Sequence, residues 1–289
     1  MVTAKGGIAV FDSGIGGLTV LAECRKHLPD ALFYYYGDNQ NAPYGNLSNA
    51  QIYQYTKKAF DMFQELQPHA AVIACNTVTA VCAEELRRRY AFPIIGTEPA
   101  VLTAAQKGGK IFVLVTRGTY ASAKFRSLCN EAAKRYPQAE ILPIACDDLA
   151  GAIERNLRKK NFDFRLYLPK GTPSAVVLGC THYIYIKEAV KEFYGCEVFD
   201  GNVGVAKRLL EVIQKQGFFC KECKKNMCNR EMEPRITTLN IEDEKKAKND
   251  LFENLFSSEK WSETEGVVFL GSGQVVNKTQ YEQMFARKI

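Results

Sequence analysis

"AAVIACNTVTAV" at residues 70–81 is an apolar run of strand length that stops at a small residue and a cysteine, then continues in amide and hydroxyl groups. "SAVVLGCTHYIY" at 174–185 nearly repeats it, with an imidazole added. Short runs apolar at every position suit parallel strands covered by helices on both faces. The near-repeat predicts two similar α/β halves, each ending one strand at a thiol, Cys75 in the first and Cys180 in the second. In open parallel sheets, ligands bind beyond the carboxyl ends of the strands. Halves that face each other would bring Cys75 and Cys180 to one ligand from opposite sides.

Further strand patterns occur at "GIAVF" (7–11), "ALFYYYG" (31–37), "PII" (93–95), "KIFVLV" (110–115), "EILPIA" (140–145), "CEVF" (196–199) and "GVVFLG" (266–271). Helix patterns with recognisable ends lie between them. "LSNAQIYQYTKKAFDMFQEL" opens at Ser48 with Gln51 three residues on, a capping-box spacing. "VAKRLLEVIQKQG" closes at Gly217, a C′ glycine. Such alternation predicts α/β architecture with mainly parallel sheets. Segment 218–262 is rich in mixed charge and weakly patterned, and reads as a loop followed by a surface helix ahead of the final strand.

The 289 residues suffice for one large or two ordinary domains, and 46% hydrophobic with 24% charged residues is ordinary for a soluble protein. The net charge of +6 comes from scattered lysines and arginines, which argues against a nucleic-acid partner. The start, "MVTAKGGIAVFDSG", has no apolar signal region, and no run reaches membrane-spanning length, so a cytoplasmic protein is expected. Ten cysteines in that compartment should be thiols; Cys24, Cys82 and Cys129, within helix patterns, read as packing.

A thiolate is a strong base and nucleophile once a helix N-terminus or a charged neighbour lowers its pKa from about 8.5. One strand-end cysteine alone is more often inert packing. Two in matching corners suggest acid–base chemistry at a carbon, one removing a proton while the other delivers one from behind. His182 stands two residues after Cys180 and can tune it; His27 and His69 lie near prolines at helix ends and read as surface residues. In "AVFDSGIGGLTVL", Gly14, Gly16 and Gly17 join a strand to a helix, with Asp12 and Ser13 ahead of them facing the cleft of Cys75. An acid there could bind an ammonium group. Thr19 stands where the dinucleotide fingerprint needs its third glycine, although Asp38 resembles a ribose-binding acid. "DNQNAPYGN" (38–46) is an ordinary turn or a clamp around Tyr44 and Gly45. Cys220, Cys223 and Cys228 have C-x₂-C-x₄-C spacing but lack a nearby fourth zinc ligand, which Cys196 would have to supply from afar.

In order, "FDSGIGGL", "YGDNQNAPYG", "ACNT", "GCTHY" and "FLGSG" resemble the motifs of glutamate racemases, cofactor-independent enzymes of the aspartate/glutamate racemase superfamily, over roughly 7–215 and again from near 264. The resemblance implies that Cys75 deprotonates D-glutamate and Cys180 L-glutamate. It places Asp12, Ser13, Tyr44, Gly45, Asn76, Thr77, Thr181 and His182 at the substrate, with Asp12 and His182 also assisting the thiols. Asp38 and Glu154 match acidic positions that support catalysis, and Thr116, Thr119 and Ser122 match a T-x-x-T-x-x-S segment. It further implies two α/β domains across a central cleft, 1–97 with 208–289 and 98–207, a homodimer, and D-glutamate supply for peptidoglycan and the cell wall.

Asp147 and Asp148 depart from the family pattern ahead of Glu154, Phe125 stands where tyrosine is usual, and 218–235 reads as an insertion. Three other readings stay open: a racemase of aspartate or another acidic amino acid, a dinucleotide-dependent oxidoreductase, and a non-catalytic zinc or partner-binding protein built around 218–235.

Overall fold

A computed structural model describes residues 6–156, 162–217, 261–264 and 267–271. Strands and helices alternate as β1 (Ile8–Asp12), α1 (Leu18–His27), β2 (Phe33–Gly37), α2 (Asn49–Leu66), β3 (Ala70–Ile73), α3 (Asn76–Arg89) and β4 (Ile94–Gly96). After α4 (Val101–Ala105) come β5 (Gly109–Val115), α5 (Arg117–Ala121), α6 (Ala123–Arg135), β6 (Ala139–Ala145) and α7 (Leu149–Asn156). Then follow β7 (Ala175–Gly179), α8 (Lys187–Tyr194), β8 (Glu197–Asp200), α9 (Asn202–Lys215), β9 (Trp261–Thr264) and β10 (Val267–Gly271).

Two sheets result. The first runs β4-β3-β1-β2-β10-β9, parallel except for β9, and the second runs β6-β5-β7-β8, all parallel. β10 lies directly beside β2, Val267 opposite Phe33, so residues far apart in sequence complete one sheet.

Alternate residues of each central strand serve opposite cores, which is why these strands are apolar at every position. From β1, Ile8 and Val10 pack with Leu18 and Leu21 of α1 and Leu209 and Ile213 of α9. Ala9 and Phe11 face the other way, against Phe60 and Phe63 of α2 and Val78 and Leu86 of α3. β5 behaves likewise: Ile111 and Val113 pack with Ala104 and Phe125, while Phe112 and Leu114 pack with Ile153 and Val190. Phe11 is wholly buried, and cutting it to alanine would cost about 3–5 kcal/mol.

Local signals set the helix ends. The Ser48 hydroxyl accepts from the Gln51 N–H at 3.3 Å and the Gln51 side chain accepts from the Ser48 N–H at 3.1 Å, completing the capping box of α2. Gly217, with φ of 75°, follows α9 in the left-handed region that ends helices.

One expectation needs correction. Residues 261–264 form strand β9, antiparallel to β10 with Trp261 opposite Leu270, where a loop and surface helix were expected up to 262. β10 supplies the backbone partner, and the four residues Trp261–Thr264 pair without a period of their own. The rest of 218–260, with Cys220, Cys223 and Cys228, lies outside the described residues.

Candidate active site

Cys75 follows the end of β3 and immediately precedes α3, in extended conformation (φ −94°, ψ 121°). Cys180 follows β7 and precedes a 3₁₀ turn, Thr181–Ile186, also extended (φ −145°, ψ 136°). The two corners are thus built alike, and both side chains are buried.

Their surroundings differ in charge. The Ser13 hydroxyl lies 3.3 Å from the Cys75 sulfur. Burial first, and then the Asp12 carboxylate, push the Cys75 thiol up to about 12, against the pull of the Ser13 hydrogen bond. The N-terminus of α3 does not offset this, its partial charge being outweighed by desolvation and the Asp12 carboxylate. Cys180 instead has the His182 Nδ1 at 3.9 Å, and the opposite ring nitrogen lies 3.2 Å from Glu154 Oε2. Burial alone would drive the proton off His182. Hydrogen bonds and charge from Cys180 and Glu154 overcome it and hold the imidazole well above its ordinary pKa.

Asp12 links the two sets. It is completely buried, which raises its pKa against the attraction of His182. Its Oδ2 accepts from the Gly14 N–H at 3.0 Å, while Oδ1 is buried without a hydrogen-bond partner. Asn76 Oδ1 is likewise buried and unpartnered. Buried acceptors are rarely left so, and these two are suited to a polar ligand.

The glycines allow the halves to meet. A Cβ on Gly16 would lie 2.5 Å from Thr181 Oγ1 and 2.7 Å from His182 Nδ1. A Cβ on Gly17 would lie 2.5 Å from that of Asp12. The first half's glycine loop therefore packs directly on the second half's thiol turn.

A second seam joins α3 to α5. Thr77 Oγ1 lies 2.9 Å from Thr116 Oγ1 and 3.4 Å from Thr119 Oγ1, all three residues being buried. Gly45 sits against Thr116. Next to it the Tyr44 hydroxyl donates to Asp38 Oδ2 in a short hydrogen bond, and Asn41 Nδ2 donates to both Asp38 oxygens at 3.0 Å. Burial first, then Asp38, hold the Tyr44 phenol protonated. The carboxylate that a dinucleotide-binding reading would turn toward ribose is thus engaged within the chain.

Among the described residues, the predicted acid–base and substrate-contact residues lie on one of these two seams or at a thiol corner, whereas Cys220, Cys223 and Cys228 lie outside the described residues. Thr116 and Thr119, absent from the expected substrate contacts, join them through the Thr77 hydroxyl; the T-x-x-T spacing was their only signal. His27 and His69 stand apart and are part-buried rather than exposed, with His27 Nδ1 at 3.1 Å from the Glu23 carbonyl.

Facing α/β sheets with a thiol at each inner corner define a class, and comparison with known families agrees. The family model described as Asp/Glu/Hydantoin racemase matches residues 19–209. The chain belongs to that family, and its class is amino-acid racemase. More particularly, it is similar to glutamate racemases. One from Clostridium botulinum (strain Kyoto / Type A2) is 37% identical over 227 residues, 74% of this chain and 86% of that protein. The crystal structure of Escherichia coli glutamate racemase with L-glutamate and the activator UDP-MurNAc-ala matches with a TM-score of 0.65 at 30% identity, over 73% of this chain and 83% of that one. Glutamate racemase from Francisella tularensis, solved with D-glutamate, matches with a TM-score of 0.63 at 25% identity, over 76% and 85%. Among the described residues, no helix is long and apolar enough to cross a membrane.

Proposed function

We propose that this enzyme interconverts L-glutamate and D-glutamate by proton transfer between two cysteines, without a cofactor, and supplies D-glutamate for peptidoglycan synthesis in the cytoplasm. The observation that carries the reading is the pair of buried thiols, Cys75 and Cys180, in matching strand-end corners, with Ser13 3.3 Å from one sulfur and His182 3.9 Å from the other. Glutamate is the favoured substrate because the similar proteins are glutamate racemases, two of them solved with its enantiomers.

From L-glutamate, the Cys180 thiolate takes the α-proton from one face, and the electron pair left on carbon spreads into the α-carboxylate. Cys75 then delivers its S–H proton to the opposite face. Cys180 ends as the thiol and Cys75 as the thiolate, and the reverse reaction uses Cys75 as base. Burial pushes the Cys75 thiol up to about 12, which suits it to deliver a proton, and His182, its pKa raised against burial by Cys180 and Glu154, stands beside the other sulfur. Each positioned acid or base contributes typically 10²–10⁴-fold.

The remaining residues bind and orient. The unpartnered Asp12 oxygen accepts from the substrate ammonium, while the Asn76 amide N–H groups and the hydroxyls of Ser13 and around Thr77 donate to carboxylate oxygens. Tyr44, Gly45, Thr181 and His182 line the rest, with Asp38 holding Tyr44 and Glu154 holding His182. The two-domain division, 1–97 with 208–289 and 98–207, and a homodimer belong to the same reading; Leu209 and Ile213 of α9 pack in the core of the first sheet, which supports joining the chain's later part to it.

The test is direct. Purified enzyme with L-glutamate in D₂O and reductant should lose optical rotation while deuterium enters Cα. No exchange with either enantiomer would overturn the reading.

A further inference from the structure

Tyr185 lies in the turn after Cys180, yet its side chain serves the other half. Its ring packs against the cores of both sheets, and its hydroxyl donates to the Ile15 carbonyl at 2.8 Å. From the first sheet, wholly buried Tyr35 in β2 donates to the Gly14 carbonyl at 2.9 Å. Two consecutive carbonyls of the glycine loop therefore each receive a phenolic O–H, one from each half. The same loop supplies the Gly14 N–H to Asp12 and lies against His182 at Gly16.

We propose that Tyr185 is a positioning residue, docking the glycine loop and with it the Asp12 carboxylate onto the Cys180–His182 turn. Closing the two halves and aligning the two acid–base sets then become one event. Glycine peptides are conformationally permissive, so a loop with three of them within four positions needs its carbonyls fixed from outside. A tyrosine side chain meets that need with only two torsions to fix, an apolar ring for the seam, and one donor at its tip. The kinetic consequence rests on the two-thiol reading; the docking does not.

Tyr185→Phe in the full chain tests it, because the ring stays while the Ile15 carbonyl loses the donor from the other half and keeps only the Leu18 N–H of its own loop at 3.3 Å. Losing that cross-seam hydrogen bond should lower the docking equilibrium constant by on the order of tenfold. Apparent affinity falls with the competent fraction, whereas saturating substrate restores that fraction. KM for L-glutamate should therefore rise, by up to about tenfold, with kcat within about twofold. Amide hydrogen exchange in residues 13–18 should quicken by a similar factor, with β1 and β7 unchanged. Tyr185→Leu also removes the ring and should add a fall in melting temperature, separating packing from docking. Either an unchanged KM or unchanged loop exchange in Tyr185→Phe overturns the proposal, as does a lower melting temperature with wild-type kinetics. If the parent enzyme shows no α-proton exchange at all, the racemase reading falls and the loop exchange alone judges the docking.

Discussion

Glu154 Oε2 lies 3.2 Å from His182 Nε2, joining a part-exposed carboxylate to a buried imidazole whose other nitrogen faces the Cys180 sulfur. Glu154→Gln keeps the shape and removes the charge, so the His182 imidazole should titrate at lower pH in NMR spectra. The sign follows for stability. A histidine with a raised folded pKa contributes stability fully present below its unfolded value near 6.5 and lost as pH rises through the folded value. The wild-type advantage over the variant should be largest at about pH 5–6 and fade on the alkaline side. Identical titration curves would show that Cys180 alone holds the proton.

Cys75→Ser and Cys180→Ser should each lower racemisation by 10³-fold or more, since an alcohol cannot serve as the base at neutral pH, with circular dichroism unchanged. Cys82→Ala is the control. That thiol is buried in α3 and donates to the Val78 carbonyl at 3.3 Å, away from the seam. Turnover by either serine variant at more than a few per cent of wild type would exclude the two-base assignment.

Alkaline pH should destabilise the fold. Burial, acting first in each case, pushes Cys24, Cys75, Cys82 and Cys146 up to about 12. The folded chain keeps protons that the unfolded chain releases above about pH 9, so the unfolded state binds fewer and stability falls between about pH 9 and 12. Each thiol contributes up to about 1.4 kcal/mol per pH unit there. Melting temperatures at pH 8, 9 and 10 check this; a level profile contradicts it.

Gly17 and Gly204 should respond to alanine with opposite signs. Gly17→Ala would press its Cβ to 2.5 Å from the Cβ of Asp12 and 2.9 Å from that of Ala74, costing about 1–3 kcal/mol and most of the activity. Gly204 lies within α9 with nothing within 4 Å, so Gly204→Ala should stabilise by about 0.4–1 kcal/mol. Thermal unfolding of both variants reads the contrast.

The strands and thiol corners were legible because parallel strands carry apolar residues on both faces, and "CNT" and "CTH" cannot continue such a run. The α2 start was legible because a capping box is complete within four residues. What stayed hidden depends on distance. The upward push on Cys75 comes from enclosure and Asp12, not from the helix beside it in sequence. Thr116 and Thr119 matter through Thr77 on another helix, and Tyr185, one aromatic in "THYIYI", gives no local hint that its hydroxyl reaches Ile15. β9 exists through its pairing with β10, which a reading of charge and period cannot register.

The position of β10 beside β2 has a consequence for how the chain is made. A ribosome delivers β1–β4 and then the entire second sheet before Val267–Gly271 appear. At usual translation speeds the β2 edge waits on the order of tens of seconds for its neighbour. An open strand edge is a template for association with other chains. The hazardous interval in this enzyme's life is therefore its own synthesis, and a nascent chain halted after α9 should aggregate although every strand of the second sheet has been made.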